Sequence, residues 1–387
     1  MAPRVLLMSQ EVHPIPPEKG AAVEQWIEAV AHRMSRYEPH LVSVPHPSRP
    51  DTEVQGRVHY QRIRMSDAYK RLFRKLTRLD PWSYIDRVLR YARTVDPAIL
   101  HIHNAPQFVD IMAKGLPAAK IILHMHNEKS DKVHTSVAAL AGCSAYIRDW
   151  YEQRQFPARR FAVLDNGVDI AAHAQGRDPR TLREARERHG VPLDRFVVLY
   201  VGRISPEKGP DLAAQAAQHL DPERFHLVLV GEWPQGDAQR SERVRYAAQL
   251  REQLGKVPHT LTGTLAPEQM PGIYALGDLL LVPSKFEEPF SMVAIEAMAA
   301  GLPVMALKKG GMREYMVDGE NALLLDAHAS PQAVADAITR AASDPALLSM
   351  LAAAARRLVE RRFRWQQVAA ATERLYDELM TVPDVKS

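Results

Sequence analysis

The chain has 387 residues, of which 46% are hydrophobic and 25% charged, and its formal net charge is +4 at pH 7. These values are ordinary for globular proteins and exclude a disordered, collagenous or coiled-coil chain, while the length favours two domains. A single cysteine excludes an internal disulfide. The first apolar run is too short for a signal peptide, and none approaches the ~20 residues that span a bilayer, so the expected location is the cytoplasm.

Short aliphatic runs alternate with helical patterns along the whole chain. The first half predicts strands at Arg4–Met8, Leu41–Val44, Val58–Ile63, Ile99–Ile102, Lys120–Met125 and Phe161–Leu164. The second half predicts strands at Phe196–Val201, Phe225–Val230, Leu279–Val282 and Pro303–Leu307. Helices are predicted at Ala21–Arg36, Tyr84–Thr94, Asp211–His219, Arg240–Leu254, Pro267–Ala275, Ser291–Ala300, Gln332–Ser343 and Leu347–Arg361. Two such sets of alternating strands and helices predict two doubly wound α/β domains with parallel sheets.

The boundary between the two domains is predicted just after the turn Asn166–Asp169, because Asn-Gly favours a turn and a polar, Arg-rich stretch follows it. Residues 1–168 carry 24 Lys and Arg against 17 Asp and Glu, whereas residues 169–387 carry 26 against 29. This asymmetry indicates different partners for the two domains. The segment Phe363–Leu379 places its large apolar residues at helical spacing and predicts a packed closing helix.

The loop after the predicted strand Phe196–Val201 carries two fixed cations, Arg203 and Lys208, between Gly202 and Gly209. In doubly wound folds, ligands bind outside the carboxyl ends of the strands. Arginine and lysine in such a loop hold phosphate oxygens through a planar fork and a point charge. The alternative is a pair of solvated surface cations.

A second segment, Lys285–Gly301, predicts a buried helix. Ser291 is expected to be its N-cap and Gly301 its C-terminal stop, and between them every residue except Glu296 is apolar. Glu288 precedes the helix, so both carboxylates can face a ligand over the helix N-terminus, a place that favours phosphate. The alternative is one exposed glutamate and one buried glutamate paired with a core arginine.

Two His-x-His motifs mark the ends of consecutive predicted strands in the first domain. One strand delivers His101 and His103, and the next delivers His124 and His126. On a strand, both rings of a motif lie on one face. Because a third ligand is not evident, hydrogen bonding at the strand ends is favoured over a zinc site. The sequence contains no Asp-x-Asp pair, so a diphosphate held through a metal is not expected.

The loop after the first strand ends at Gly20, which opens a predicted helix and suits an anion at the helix N-terminus. The loop has neither the Gly-x-Gly-x-x-Gly pattern of dinucleotide-binding proteins nor that of a P-loop. Nicotinamide-binding and ATPase functions therefore lose their main support.

Together these motifs resemble the retaining glycosyltransferases of family 4, which have the GT-B fold, and the resemblance covers nearly the whole chain. Its most specific part is the pair of glutamates with seven residues between them, Glu288 and Glu296, within Glu-Pro-Phe-Ser-x4-Glu-Ala-Met-Ala-Ala-Gly. Further parts are Val201-Gly202-Arg203 with Glu207-Lys208-Gly209, Asn166-Gly167-Val168-Asp169, and Gly310-Gly311-x-x-Glu314. The front loop Pro17-x-Lys19-Gly20 and the segment His124-Met125-His126-Asn127 are similar to the spore-coat-type polysaccharide transferases.

The resemblance implies two Rossmann-like domains facing each other across a cleft. The acceptor-side domain would cover residues 1–168, with a C-terminal helix in 364–387 packing back on it, and the donor domain would cover 169–363. The implied activity is transfer of a sugar from a nucleoside-diphosphate sugar, with UDP preferred, to a hydroxyl of a glycan or lipid-linked acceptor. The implied setting is synthesis of bacterial surface polysaccharide or glycoconjugate, with no metal or other cofactor required.

The resemblance also implies roles for individual residues. Arg203 and Lys208 would bind the donor diphosphate and stabilise the leaving group. Glu288 would hold hydroxyls of the transferred sugar, Glu296 would hold the ribose, and His126 would contact the sugar or its phosphate from the first domain. The remaining donor-binding positions would be Gly20, Gly202, Phe290, Ser291, Gly310 and Gly311. Two positions depart from the family pattern, since Ala21 and Ser291 stand where glycine is commoner.

Three alternative functions stay open. A sugar-nucleotide epimerase and a sugar phosphorylase share the implied fold, and a non-catalytic protein that binds nucleotide sugars or glycans belongs to another class. Residues 57–78 form a basic segment with Asp67 as its single acid. It predicts either a core-packed helix with a solvated basic face or a helix lying on the anionic inner membrane surface. Nucleic acid is not an expected partner, because no known binding module accompanies the charge.

Overall fold

The computed structural model describes residues 2–18, 20–64, 83–174, 179–236, 241–265 and 269–381. The chain forms two compact units. One contains the residues up to Gly167 together with those from Trp365 onward, and the other is Val168–Arg364. The predicted boundaries, after residues 168 and 363, each lie one residue from these divisions.

The first unit contains an eight-stranded sheet. Its strands are β1 (Arg4–Met8), β2 (Glu38–Ser43), β3 (Thr52–Gln55), β4 (Val58–Arg62), β5 (Ile99–His103), β6 (Lys120–Met125), β7 (Ala139–Gly142) and β8 (Phe161–Val163). They lie in the order β3-β4-β2-β1-β5-β6-β7-β8. Only the β3–β4 pairing is antiparallel among the described strands of this sheet. The helices between them are α1 (Ala22–Ala31), α2 (Tyr84–Val95), α3 (Val109–Gly115) and α4 (Ala145–Gln153).

The second unit contains a six-stranded sheet in the order β11-β10-β9-β12-β13-β14. Its strands, all paired in parallel, are β9 (Phe196–Val201), β10 (Phe225–Val230), β11 (His259–Gly263), β12 (Leu279–Val282), β13 (Val304–Leu307) and β14 (Leu323–Leu325). Its helices are α5 (Ile170–Ala174), α6 (Pro179–His189), α7 (Pro210–Ala217), α8 (Glu242–Leu254), α9 (Met270–Ile273), α10 (Met292–Ala300), α11 (Pro331–Ala342) and α12 (Pro345–Arg362).

The strand order reverses once in each parallel sheet. In the first unit β1 lies between β2 and β5, and in the second unit β9 lies between β10 and β12. At such a reversal the loops from the two central strands leave in opposite directions and open a crevice at the carboxyl edge of the sheet, where ligands of doubly wound folds bind. The loops after β9 and β12 are the ones that carry the predicted phosphate and sugar ligands.

The closing helix α13 (Trp365–Thr381) packs on the first unit. Its apolar side chains Trp365, Leu375 and Tyr376 join one core with β1 and α1. The same helix buries Glu373, whose carboxylate accepts hydrogen bonds from the backbone amides of Ser35 and Arg36. The prediction that the C-terminal helix packs back on the N-terminal domain is therefore confirmed.

Other sequence predictions need correction. Phe363 lies outside the closing helix, at the end of α12, where its ring packs against Phe290 and Tyr315. The strands β3, β7, β11 and β14 and the helices α3, α4, α5 and α6 were not predicted. The expected amphipathic helix within residues 57–78 falls mainly on 65–82, outside the described residues, as does Lys19 of the front loop. Within the described ranges, every helix is too short or too polar to cross a bilayer.

Candidate functional site

The candidate site lies at the reversal of the second sheet. Strand β9 ends at Val201 and is followed by Gly202 and Arg203, while its neighbour β12 ends at Val282 and is followed by Pro283 and Ser284. Both strands are continuous apolar runs, buried except for the half-buried Phe196, which fixes their carboxyl ends firmly in the sheet. The two loops therefore leave the same edge side by side.

Two features tie these loops together. The amide of Lys285 donates to the carbonyl of Glu207 at 2.8 Å. Gly209 has a φ of +70°, and a Cβ there would lie 2.0 Å from the carbonyl oxygen of Pro283. Only glycine permits this approach, so the sequence Glu207-Lys208-Gly209 has a structural reason as well as a chemical one.

The centre of the site is an ion pair between Lys208 and Glu288. The Lys208 Nζ donates to both carboxylate oxygens of Glu288 at 2.9 Å, and Ser284 Oγ donates to one of them at 2.9 Å. The Glu288 side chain is only 9% exposed and that of Lys208 is 23% exposed. The ring of Phe286 lies beneath the ammonium group at 4.8 Å. The two residues assigned to diphosphate and sugar are thus brought into direct contact.

Arg203 differs from Lys208 in its surroundings. Its side chain is 65% exposed, and its guanidinium lies 3.6 Å from the carboxylate of Glu207, four residues later in the chain. An exposed pair of this kind contributes little to stability. The guanidinium can therefore leave Glu207 for a stronger anion with little loss to the fold.

The Gly310-Gly311 segment begins a 3-10 turn, Gly310–Glu314, beside the same loop. The amide of Gly311 donates to the carbonyl of Glu288 at 2.8 Å. The amide of Gly310 donates to a carboxylate oxygen of Glu287 at 2.6 Å. A Cβ on Gly310 would lie 2.2 Å from the Glu288 carbonyl oxygen, so close packing already requires glycine. Donor binding by these two amides stays a prediction, and the Gly310 amide holds a carboxylate in this structure.

The N-terminus of α10 differs from the prediction that Ser291 caps this helix. Ser291 stands at the N-cap position, but its side chain makes no capping bond and its φ is +78°. A positive φ favours glycine, which explains why glycine is commoner at this position in the family that the motifs resemble. The preceding Phe290 turns its ring into the core against Tyr315. Its carbonyl accepts a hydrogen bond from the Tyr315 hydroxyl at 2.5 Å. At the other end of α10, Gly301 has a φ of +75° and ends the helix as predicted.

Glu296 lies on α10, where the alternative interpretation expected a core arginine as its partner. Its partner is instead Tyr274, whose hydroxyl donates to the carboxylate at 2.5 Å. Burial raises the pKa of Glu296, while the Tyr274 hydrogen bond and the nearby His173 oppose that rise. A carboxylate with one tyrosine donor retains capacity to accept further hydroxyl groups.

Two residues predicted to bind the donor, His126 and Gly20, lie in the first unit. His126 Nε2 lies 3.3 Å from His103 Nδ1, and its backbone amide donates to Asn104 Oδ1 at 3.3 Å. Burial lowers the pKa of His126 to about 3, so the ring is neutral at pH 7. Gly20 precedes α1, and a Cβ added there would meet no atom within 4 Å. The roles implied for His126 and Gly20 stay predictions.

The structure brings together two sets of possible metal ligands among the described residues. One is the buried set of His101, His103 and His124, so the third imidazole that the sequence did not reveal is present. The other is Glu38, His40 and His59, which is partly exposed.

Sequence reasoning missed three contributors to the site. Ser284 holds Glu288 in place, Tyr274 holds Glu296, and Glu287 bonds the Gly310 amide. The only available signal was position, because Ser284 directly follows a strand and Glu287 adjoins Glu288. Tyr274 lies on a different segment of chain, and nothing near it in the sequence points to Glu296.

Comparison with known proteins identifies the family to which this chain belongs. The sequence profile of the family described as "Glycosyl transferases group 1" matches residues 182–358. A relative from Salmonella typhimurium is 32% identical over 382 residues, covering 96% of this chain and 98% of the relative. The chain therefore belongs to the group 1 glycosyltransferases.

The Salmonella relative is named lipopolysaccharide 1,2-N-acetylglucosaminetransferase. Spore coat protein SA of Bacillus subtilis is 28% identical and covers 97% of this chain and 99% of its own, in agreement with the resemblance to spore-coat-type transferases. The solved structure of sucrose-phosphate synthase from Thermosynechococcus elongatus superposes with a TM-score of 0.78 at 21% identity, covering 98% of this chain and 99% of that one. Anabaena Alr3699/HepE in complex with UDP and glucose gives a TM-score of 0.74 at 20% identity, covering 97% and 100%. The predicted GT-B fold is confirmed.

Proposed function

We propose that this glycosyltransferase moves a sugar from a nucleoside-diphosphate sugar to a hydroxyl of a glycan or lipid-linked acceptor, with retention of anomeric configuration. The observation that carries the proposal is the Lys208–Glu288 pair beside Arg203 at the reversal of the second sheet. UDP is the proposed nucleotide, supported by the UDP and UDP-glucose complexes of Alr3699/HepE. The name of the Salmonella relative supports an acceptor in surface polysaccharide synthesis.

In the proposed mechanism, Arg203 and Lys208 bind the diphosphate. When the anomeric C–O bond breaks, negative charge develops on the leaving phosphate oxygen, and preorganised cations lower that barrier. The electron pair of the broken bond stays with the diphosphate. The acceptor hydroxyl attacks the same face of the sugar, and its proton passes to the leaving phosphate. No separate general base is assigned.

Two carboxylates orient the donor in this proposal. Glu288 accepts hydrogen bonds from hydroxyls of the transferred sugar, and Glu296 accepts them from the ribose. Their different partners support different roles, since Glu288 is bonded to Lys208 and Glu296 to Tyr274. Because two fixed cations neutralise the diphosphate, the proposed reaction needs no metal ion.

The test is a donor panel with the purified protein. UDP-, GDP- and ADP-sugars are incubated with and without an acceptor extract, with and without a chelator, and release of nucleoside diphosphate is followed. Release that requires acceptor, resists the chelator and yields a product of retained configuration supports the proposal. Conversion of the donor without acceptor would indicate an epimerase, and dependence on inorganic phosphate would indicate a phosphorylase. Binding without turnover of any donor would indicate a non-catalytic protein.

A further inference from the structure

A cluster of buried imidazoles lies in the first unit, outside the residues assigned to the diphosphate. His101 and His103 lie on β5 with their rings on one face of the sheet, as residues two apart on a strand do. His124 lies on the adjacent strand β6, in register opposite His103. All three residues have no exposed surface, and the indole of Trp26 covers them, with its ring centroid 4.8–5.5 Å from theirs.

The hydrogen bonds of these rings are incomplete. His101 Nδ1 lies 2.6 Å from the hydroxyl of Tyr376, and His103 Nδ1 lies 3.3 Å from Nε2 of His126. Among the described residues, Nε2 of His101 and Nε2 of His103 have no hydrogen-bond partner. Neither nitrogen of His124 makes a hydrogen bond of good geometry, although the backbone of Leu164 lies near that ring. Every neutral imidazole has one N–H donor and one acceptor nitrogen. A buried polar atom without a partner is costly, so several of them in one place point to a ligand.

The geometry indicates which ligand. One nitrogen from each of His101, His103 and His124 lies within 4.8 Å of the other two. Tetrahedral zinc with Zn–N bonds of about 2.0–2.1 Å needs ligand nitrogens roughly 3.3 Å apart. The ring of His101 is stacked on those of His103 and His124, so the rings must turn to converge on one ion. His101 and His103 each use one nitrogen for an orienting partner and leave the other free, which is the arrangement of imidazoles that bind metals.

We propose that His101, His103 and His124 bind one transition-metal ion, zinc in the first instance, as a structural site in the first unit. Three imidazoles suit zinc and cobalt, whereas magnesium and calcium prefer oxygen ligands. Through Tyr376, which bonds His101, the ion stabilises the docking of α13 on the sheet.

The second set of possible ligands provides a matched control. Glu38, His40 and His59 are partly exposed, and His40 already uses both nitrogens, with Tyr91 at 3.0 Å and Glu38 at 3.1 Å. Satisfied imidazoles have less to gain from a metal. We therefore expect the variant His59→Gln to keep the metal.

The experiment measures metal content and does not depend on transferase activity. The full chain is produced in media with added zinc or added cobalt, because a site without exposed surface fills during folding, and it is purified through a tag that does not bind metal. We expect about one ion per chain in both preparations. The cobalt protein should show the visible absorption of tetrahedral cobalt, and X-ray absorption at the zinc edge should show three imidazoles.

Variants then locate the ion. His101→Gln and His124→Gln should each lose it and show a lowered melting temperature, while His59→Gln should keep both. A wild-type protein without metal from either medium overturns the proposal, as does an ion retained in His124→Gln or lost only in His59→Gln. If the His101 and His124 variants fail to fold, the X-ray absorption of the wild-type protein decides, since carboxylate ligands there would identify the other set. None of these results bears on whether the protein transfers sugar.

Discussion

Lys208 pairs with Glu288 in the structure and has a proposed role in stabilising the leaving group, and the variant Lys208→Met removes both. Methionine keeps most of the length of the side chain and removes its charge. The buried carboxylate of Glu288 then retains only the Ser284 hydroxyl as a side-chain hydrogen-bond partner among the described residues. Removing one partner of a buried ion pair costs about 3–5 kcal/mol. Because the Lys208 side chain is 23% exposed, water offsets part of this cost, and we expect a loss of about 2 kcal/mol.

The loss is measured by denaturant unfolding, with an unchanged dependence on denaturant concentration as the check that the native state is intact. A loss of 2 kcal/mol corresponds to a fall in melting temperature of about 4–8 °C for a unit of this size. Simple reasoning from the sequence places Lys208 in a loop, where substitution should leave the fold unaffected. The ion pair predicts a measurable loss instead.

The double variant Lys208→Met with Glu288→Gln distinguishes charge pairing from catalysis. Removing both charges leaves no unpaired carboxylate, so stability should return to within about 1 kcal/mol of the wild type. Turnover should stay at least about 100-fold reduced, because the cation that stabilises the leaving group is still missing. The reasoning is refuted if Lys208→Met is as stable as the wild type, or if the two stability changes simply add. Recovery of turnover in the double variant would refute the catalytic assignment.

Four further outcomes are expected. Arg203→Ala should reduce turnover about 100-fold yet change stability by less than about 0.5 kcal/mol, as measured by donor assay and unfolding, because its pair with Glu207 is exposed. Glu296→Gln should weaken binding of free UDP about tenfold in calorimetry, and an unchanged affinity would remove Glu296 from the ribose. Ser291→Gly should raise the free energy of unfolding by about 0.5–1 kcal/mol, since relief of a positive φ exceeds the entropy cost of glycine. Burial raises the pKa of Glu24 from 4.5 to about 7. The stability that Glu24 contributes is therefore present below pH 4.5 and is lost as the pH rises to 7. Relative to Glu24→Gln, the free energy of unfolding of the wild type should fall by about 3 kcal/mol between pH 4.5 and 8.

Strands built from long, mainly apolar runs were predictable to the residue. Phe196–Val201, Phe225–Val230 and Leu279–Val282 are buried except for the half-buried Phe196 and have the predicted bounds. Three of the missed strands, β3, β7 and β11, lack this signal, whereas β14 is an aliphatic run of only three residues. β3 and β11 lie at sheet edges and each contains only one aliphatic residue, and β7 consists of Ala-Leu-Ala-Gly. Their strand conformation depends on pairing with neighbours, which local composition does not encode.

The candidate site was predictable as a set of residues and not as a set of contacts. Strand ends identified Arg203, Lys208 and Glu288, since ligands of doubly wound sheets bind at carboxyl edges. Lys208 and Glu288 are 80 residues apart in sequence, and their contact depends on β9 lying beside β12. The third imidazole of the histidine cluster has the same origin, because the register of β5 with β6 places His124 opposite His103. Side-chain contacts between adjacent strands can be predicted only when the order of the strands in the sheet is known, and the sequence pattern does not determine that order.

The sheet order also explains part of the charge balance at the site. Lys208 is paired with Glu288 and Arg313 with Glu287 on neighbouring loops, while Arg203 is paired with Glu207 within one loop. In the proposed mechanism, an arriving diphosphate would compete with these carboxylates for the cations, which would limit the affinity of the donor. Charge that develops on the leaving oxygen would then meet the same cations without further rearrangement. Interactions stronger in the transition state than in the ground state are those that raise turnover. Under this proposal, pairing each cation with a glutamate weakens donor binding and leaves the cations to act on the leaving group.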